Sequence, residues 1–438
     1  MKKIIRYIRL KNEKGVSLVM VALLLIPLLG IGALVIDLGF LYAAKNELQN
    51  AADAGALAGA RVLYSIDGLD RTSAISEATN AAIANFSQGS AIEVNTDDVK
   101  IGHWSFGLGN LARGFHESGS TTTPILWDRS TVKLDEDDNF INAVQVTARR
   151  QNTLVTAIFS RIFNHTGFEV DATAVGYIGF AGSIQPYGVD QPIGICLQSI
   201  IDEDGNYTCG AGRTINSSGG STTNTGAWTN FTQPCKKTAG PKSVEDRVCR
   251  GNDKEVFFGQ KMETSPGAGP TAFRDMIDCW KKSFPSNEKD WRGYPTKAWE
   301  QTYPVIDCPD KNPGAGGCET LLGAVTLKVI WIKDGPDADD DWIDIPFQME
   351  NWECSYWVAE GKPKEDDPLD IDNRQKCWDE FASEFGLQTY DGKSVGQFTP
   401  AQIKMSILFL PSCKYHEPTG VTGGLNTGIL AKVPLLVN

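Results

Sequence analysis

Apolar positions along this chain change their spacing several times, and each change marks a different kind of element. Val16 to Ile36 is an unbroken run of 21 uncharged residues, VSLVMVALLLIPLLGIGALVI. At helical rise it reaches roughly 30 Å, the thickness of a bilayer's hydrocarbon core. Val16 and Ile36 bound the predicted span, and Asp37 is the first charge beyond it. Pro27, with Gly30 and Gly32, predicts a bend that a membrane helix tolerates.

Past the span the apolar spacing becomes threes and fours, through Leu38, Leu41, Leu48, Ala52, Gly55, Gly59 and Val62, with Lys45 filling the gap. The stripe turns from leucine to alanine and glycine. Ala51, Gly55 and Gly59 stand four residues apart, the small-residue spacing that permits close backbone contact. Two readings stay open: packing on the protein's own downstream part, or docking onto a partner's helix. A second helix is predicted from Thr72 to Phe86, with Ile75, Ala78, Ala82, Ile83 and Phe86 on one side.

Residues 89–181 predict a small α+β domain. Ile92–Val94 and Val99–Ile101 mark strands, 105–123 is rich in turn residues, and Asn142–Ala148 alternates apolar and polar positions. Leu154, Val155, Ile158, Phe159, Ile162 and Phe163 then keep helical spacing before Val170–Ile178 alternates again. That order predicts strand, helix, strand.

Residues 182–438 read as a mixed module with long loops. The Gly-, Ser-, Thr- and Asn-rich stretch 205–230 predicts a loop. Strands are predicted at Glu255–Phe258, Ala324–Ile332 and Ile403–Leu410, with a final apolar piece at Val433–Val437, and short helices around Cys279 and Cys377. The fold class is therefore α+β. The expected organisation is a basic tail at 1–15, a transmembrane helix at 16–36, its helical extension at 37–88, the small domain at 89–181, and a cysteine- and tryptophan-rich module at 182–438.

Charge orients this plan. Six basic residues against the single acid Glu13 give the first 14 residues a net +5, so the chain's −13 leaves −18 for the rest. Basic residues beside a span are retained in the cytoplasm, which predicts a single-pass membrane protein with its bulk periplasmic or extracellular. The run is longer than a signal peptide's apolar region, and Ala56-Leu57-Ala58 lies too far downstream for a signal cleavage site. An acidic body of this kind excludes nucleic acid as a partner. The ten cysteines agree with export. Cys196, Cys209, Cys235, Cys249, Cys279, Cys308, Cys318, Cys354, Cys377 and Cys413 all lie in the second half, without zinc-site spacing, and read as disulfides. A local bridge between Cys308 and Cys318 across DKNPGAGG is the first pairing expected.

The chain offers little catalytic chemistry. It has no phosphate loop, nucleotide-binding glycine motif, nucleophile elbow or HExxH. Asp135–Asp138, Asp202–Asn206 and Asp337–Asp341 read as solvated charge runs. The last begins as a calcium loop but carries Trp342 where glycine is needed and Gln348 where glutamate is needed. No catalytic, metal or cofactor-binding residue is assigned, and a small-molecule substrate is not expected. Eight of the eleven tryptophans fall between Trp280 and Trp378, as core packing or as an aromatic platform for sugars.

Residues 13–60 resemble the N-terminal segment of bacterial Tad-type Flp pilus-assembly proteins, the TadE/TadG-like group. The likeness rests on Gly15, on Asp37 and Gly39 at the span exit, on Tyr42, and on LQNAAD followed by AGALA. NAVQVTARR, IFSRIF and VDATAVGYIG resemble the Tad-like domain that follows such an anchor. The resemblance implies a non-catalytic inner-membrane protein that assembles or anchors a Flp (type IVb) pilus or related secretion machinery, with other pilus-assembly or secretion proteins as partners. An anchored exported hydrolase, or an adhesin using the tryptophan-rich module, is the alternative. Two departures narrow the implication. Asp128-Arg-Ser130-Thr-Val132 lacks the second serine of a von Willebrand A metal turn. Met20 stands where a pilin processed after Gly15 would carry glutamate, so the chain reads as an assembly protein and not a pilin subunit.

Overall fold

Glu13–Arg61 forms one helix, α1, which continues through Pro27. The computed structural model describes residues 13–438 apart from 66, 124–129, 160, 162–163, 165, 203–206, 217–224, 266, 268, 290–294, 296–298, 309–316, 334–354, 356–370, 388–405, 413–417 and 427. At 49 residues α1 is about 70 Å long, more than twice the depth of a hydrocarbon core. Its two halves meet different surroundings. Leu24 and Ile26 are each 69% exposed, whereas Ala44, Leu48, Ala51, Ala52, Ala56 and Ala60 are fully buried. The buried stripe therefore starts later than the spacing predicts, since Leu38 is exposed and the protein closes around α1 from Ala44 onward.

The second helix, α2, is Arg71–Ile83, capped by Asp70, whose carboxylate accepts the Ser73 N–H at 2.9 Å. Its buried face is Ala74, Ala78 and Ala82, while Ile83 and Phe86 are exposed, against expectation. Alanines at every fourth position let α2 lie close along α1, and larger side chains would hold the two helices apart.

Both helices cover one face of a five-stranded antiparallel sheet. Its strands are β3 (Val99–Ser105), β4 (Gly114–Glu117), β5 (Ala143–Thr156), β6 (Gly167–Tyr177) and β14 (Leu435–Val437), in the order β14-β6-β5-β3-β4. A small hairpin, β1 (Phe86–Ser87) and β2 (Ser90–Ala91), precedes it. Ile101, Val144, Val146, Ala148, Ala172 and Ala174 form the sheet's share of the core under α1 and α2.

The helix expected from Leu154 begins as strand instead, and Ile162 and Phe163 lie outside the described residues. β5 runs on to Thr156 and pairs antiparallel with β6, with Val155 opposite Phe168 and Thr156 opposite Gly167. The helices that the sheet needs precede it in the chain, so no crossover helix is left to bury. The turn-rich stretch likewise contains β4, held on β3 from Gly102↔Glu117 to Ser105↔Gly114.

The larger sheet has seven strands. They are β7 (Ile193–Cys196), β8 (Arg213–Asn216), β9 (Gly226–Thr229), β10 (Lys261–Ser265), β11 (Trp299–Ile306), β12 (Cys318–Lys333) and β13 (Ser406–Pro411). β8 and β9 lie inside the stretch expected to be a loop. β12 carries β10 and β13 on one edge and β11 on the other, so β12, β10, β9, β7 and β11 close into a ring. Helix α3 (Pro270–Lys282) packs on it through Phe273, Met276 and Trp280, with Phe273 edge-on to Trp228 at 5.2 Å. A further helix, α4 (Ile371–Glu384), sets Phe381 against Trp331. Trp228, Trp280, Trp299 and Trp331 are all buried, which places these four in the core and not on a sugar-facing platform.

The cysteines correct one expectation. Cys308 pairs with Cys196, not Cys318, and Cys318 pairs with Cys235. Cys249 pairs with Cys279, and Cys209 and Cys377 are also disulfide-bonded. Cys308 follows β11 and Cys318 opens β12, so sheet pairing directs the two toward different neighbours. Cys354 and Cys413 lie outside the described residues, as do Asp337–Asp341 and most of Asp202–Asn206.

The end of the chain returns to the first sheet. Thr422 pairs with Ala181, Gly424 with Phe180, and Leu435–Val437 with Val175–Tyr177. Leu430 lies in the same core as α1.

Candidate functional site: the span exit and the helix seam

Asp37 follows the apolar run, where an unpaired charge would be costly to bury. It is 7% exposed, and its carboxylate accepts the N–H groups of Ile158 at 2.8 Å and Phe159 at 3.2 Å. These residues lie just beyond β5, so the sheet's longest hairpin is tied to α1 where the span ends. The β1–β2 hairpin is tied a little further along. Gln88 donates from Nε2 to the Phe40 carbonyl at 2.8 Å and from its backbone N–H to Glu47 at 2.7 Å.

Further up, α1 meets the sheet almost backbone to backbone. A Cβ built on Gly55 would lie 2.8 Å from the Ala78 carbonyl oxygen and 3.2 Å from Val146 Cγ1. One on Gly59 would lie 2.8 Å from Ala78 Cβ and 2.9 Å from the Ala74 carbonyl oxygen. Ala51 is fully buried beside them. The small-residue stripe is filled by this chain's own α2 and β5. Past the end of α1, the Tyr64 hydroxyl donates to the Ile141 carbonyl at 2.6 Å.

Polar groups close the seam's rim. The guanidinium of Arg150 donates to the Ser87 carbonyl and to Thr153 Oγ1, and burial lowers its pKa against the opposing pull of Glu93 and Glu47. Arg149 pairs with the buried Asp98. Glu93 is pushed up by burial, yet the N–H groups of Asn152 and Thr153 win and leave its carboxyl below the usual range.

Beside the sheet lies an open cavity of about 350 Å³ lined by His103, Phe106, Asp135, Phe140, Tyr177 and Leu435, among others. Asp135 belongs to the run read as solvated charge, but it is buried. It accepts from the Phe106 N–H at 2.8 Å, the Leu108 N–H at 2.9 Å and the Ser105 hydroxyl at 3.0 Å. His103 lies between the Phe140 and Asp135 carbonyls at 2.8 and 3.0 Å. Burial, reinforced by the charge of Asp135, pushes the Tyr177 phenol up. Through these three donors Asp135 holds the loop that follows β3. Among the described residues no three His, Cys, Asp or Glu side chains converge as a metal-holding group. Ser130, in the segment compared with a metal turn, caps a short helix by accepting the Lys133 N–H at 3.3 Å.

Sequence reading named Asp37 and the glycine stripe, placed Asp135 in a solvated charge run, and did not single out Gln88 or Asp98. For Asp135 a signal existed: Ser130 followed by a short apolar-periodic segment predicts a capped turn that would carry the next acid inward.

Two family models match the chain. Residues 15–62 match the model described as putative Flp pilus-assembly TadE/G-like, and residues 58–175 match putative Tad-like Flp pilus-assembly. The matches meet within the last turn of α1 and end inside β6, so they cover the helix seam and most of the first sheet. No curated protein and no solved structure matches the chain.

Proposed function

Residues 15–175 are Tad-type Flp pilus-assembly sequence, and from that premise we propose that the chain is a membrane-anchored, non-catalytic assembly protein of a Flp pilus or related secretion machinery. The observation that carries this reading is the division of α1. Its apolar half is uncovered by protein and long enough to span a bilayer, while its distal half is the core of the matched domain. A helix that is both anchor and core ties the body to the membrane surface. The basic tail keeps the N-terminus in the cytoplasm and the disulfide-bonded body outside it. Its partners are other pilus-assembly proteins, met through the body. Most hydrogen bonds of the cavity's Asp135 and His103 go to backbone, which supports a structural role for them.

Gene deletion in the native cell, followed by complementation, tests the proposal. Loss of Flp filaments, restored by the full chain but not by a chain lacking residues 1–36, supports it. Filaments at normal number after deletion, with no crosslink from the body to any pilus-assembly protein, would overturn it. Protease added outside spheroplasts should digest the body; digestion only after lysis would overturn the orientation.

A further inference from the structure

The residues around the span exit carry a second assignment. Leu38, Phe40 and Tyr42 are 54%, 42% and 70% exposed on α1 immediately past Asp37. Two hairpins that are distant in sequence bring further apolar side chains to the same level. Ile158, 49% exposed, is held there by the bond from its N–H to Asp37. Phe86, 65% exposed, precedes Ser87 and Gln88, which bond the carbonyls of Ala44 and Phe40. Along α1, Tyr42 stands about 7 Å beyond Asp37 at helical rise. A headgroup layer is roughly 5–8 Å deep on each side of the hydrocarbon core, so Leu38 to Tyr42 and Ile158, tied to Asp37, fall within it, and Phe86, whose neighbours bond Phe40 and Ala44, lies at its outer edge. Aromatic side chains are enriched in that layer.

We propose that Leu38, Phe40, Tyr42, Phe86 and Ile158 form a collar seated in the lipid headgroup layer of the leaflet that α1 leaves. The occupant of this apolar surface is the bilayer itself, because the surface is continuous with the uncovered span. The assignment rests on the membrane-anchor reading of α1. Its consequence is mechanical: three attachment points, one helix and two hairpins, would hold the body at a fixed tilt, where a single helix leaves it free to swivel.

The test uses the full chain in phosphatidylethanolamine–phosphatidylglycerol vesicles, with an environment-sensitive fluorophore introduced as an unnatural residue at one site per variant. The sites are Phe86 and Ile158 in the collar, Leu28 within the span, and Tyr187, which is 73% exposed in the larger unit. Nitroxides on the lipid headgroup should quench the probes at 86 and 158 but not at 187, and aqueous iodide should do the reverse. If 86 and 158 behave like 187 while deep acyl nitroxides quench 28, the collar is refuted and the anchor stands. If 86 and 158 are shielded from iodide yet unquenched by lipid nitroxides, protein covers them and the collar is again refuted. If 28 is itself unquenched by lipid, the anchor reading falls and takes the collar with it.

Discussion

The backbone N–H of Ile158 donates to the carboxylate of Asp37 at 2.8 Å, joining residues 121 positions apart at the point where the apolar run ends. Removing the acceptor leaves two backbone donors, those of Ile158 and Phe159, without this partner. Asp37→Ala should therefore lower the stability of the detergent-solubilised chain by about 1–3 kcal/mol, read by denaturant unfolding. Asp37→Asn keeps one acceptor oxygen and should lose less. An unchanged midpoint for Asp37→Ala would show that the tie does not contribute.

Gly59 and Gly55 predict a steric effect of known direction. Even alanine at Gly59 would place its Cβ 2.9 Å from a backbone oxygen, in a seam whose walls are helix backbone and sheet. Overpacking of this kind costs about 1–3 kcal/mol. Gly39 is the control, because nothing lies within 4 Å of a Cβ built there. Gly39→Ala should be neutral or stabilising by up to about 1 kcal/mol from helix propensity. Equal effects at the two positions would contradict the close approach.

The disulfides predict a map as well as a stability. Peptide mapping without reduction should recover Cys196–Cys308, Cys235–Cys318 and Cys249–Cys279. A Cys308–Cys318 peptide would contradict the pairing. Replacing Cys196 and Cys308 together should cost about 2–5 kcal/mol, since that bridge closes a loop on the order of a hundred residues.

Asp70 predicts a pH dependence. The Ser73 N–H, helped by the Ser73 hydroxyl, holds its carboxyl below the usual 3.8. A carboxyl depressed by folding stabilises the protein above its unfolded pKa, and the contribution disappears as pH falls through the folded value. Asp70→Ala should cost about 1 kcal/mol at neutral pH, the usual worth of a helix N-cap. The difference between wild type and variant should then shrink below pH 3.8. A difference independent of pH would show that the carboxylate's charge plays no part.

What could be read from the sequence depended on how many physical readings a pattern allows. Val16–Ile36 allows few, because a long uncharged run has no soluble surface to present. Gly55 and Gly59 announce a close approach but not the surface approached, which is set by residues some twenty to ninety positions away. Leu154 and Val155 fit helical spacing and a strand end equally well, and the sheet decided for strand because α1 and α2 already cover it. Arg213–Asn216 is hidden by its composition: a strand paired along its length with β13 needs no apolar run of its own. The final apolar piece at Val433–Val437 holds the strand Leu435–Val437, but nothing local says that its partner is β6, about 260 residues earlier.

The central claim is that the distal half of α1 is core and not a free stalk awaiting a partner. Amide hydrogen exchange on the full chain in lipid nanodiscs tests it most directly. The amides of residues 44–60 should exchange together with those of 144–148 in β5, and only through opening of the whole first sheet. Fast exchange of 44–60, independent of β5, would contradict the account.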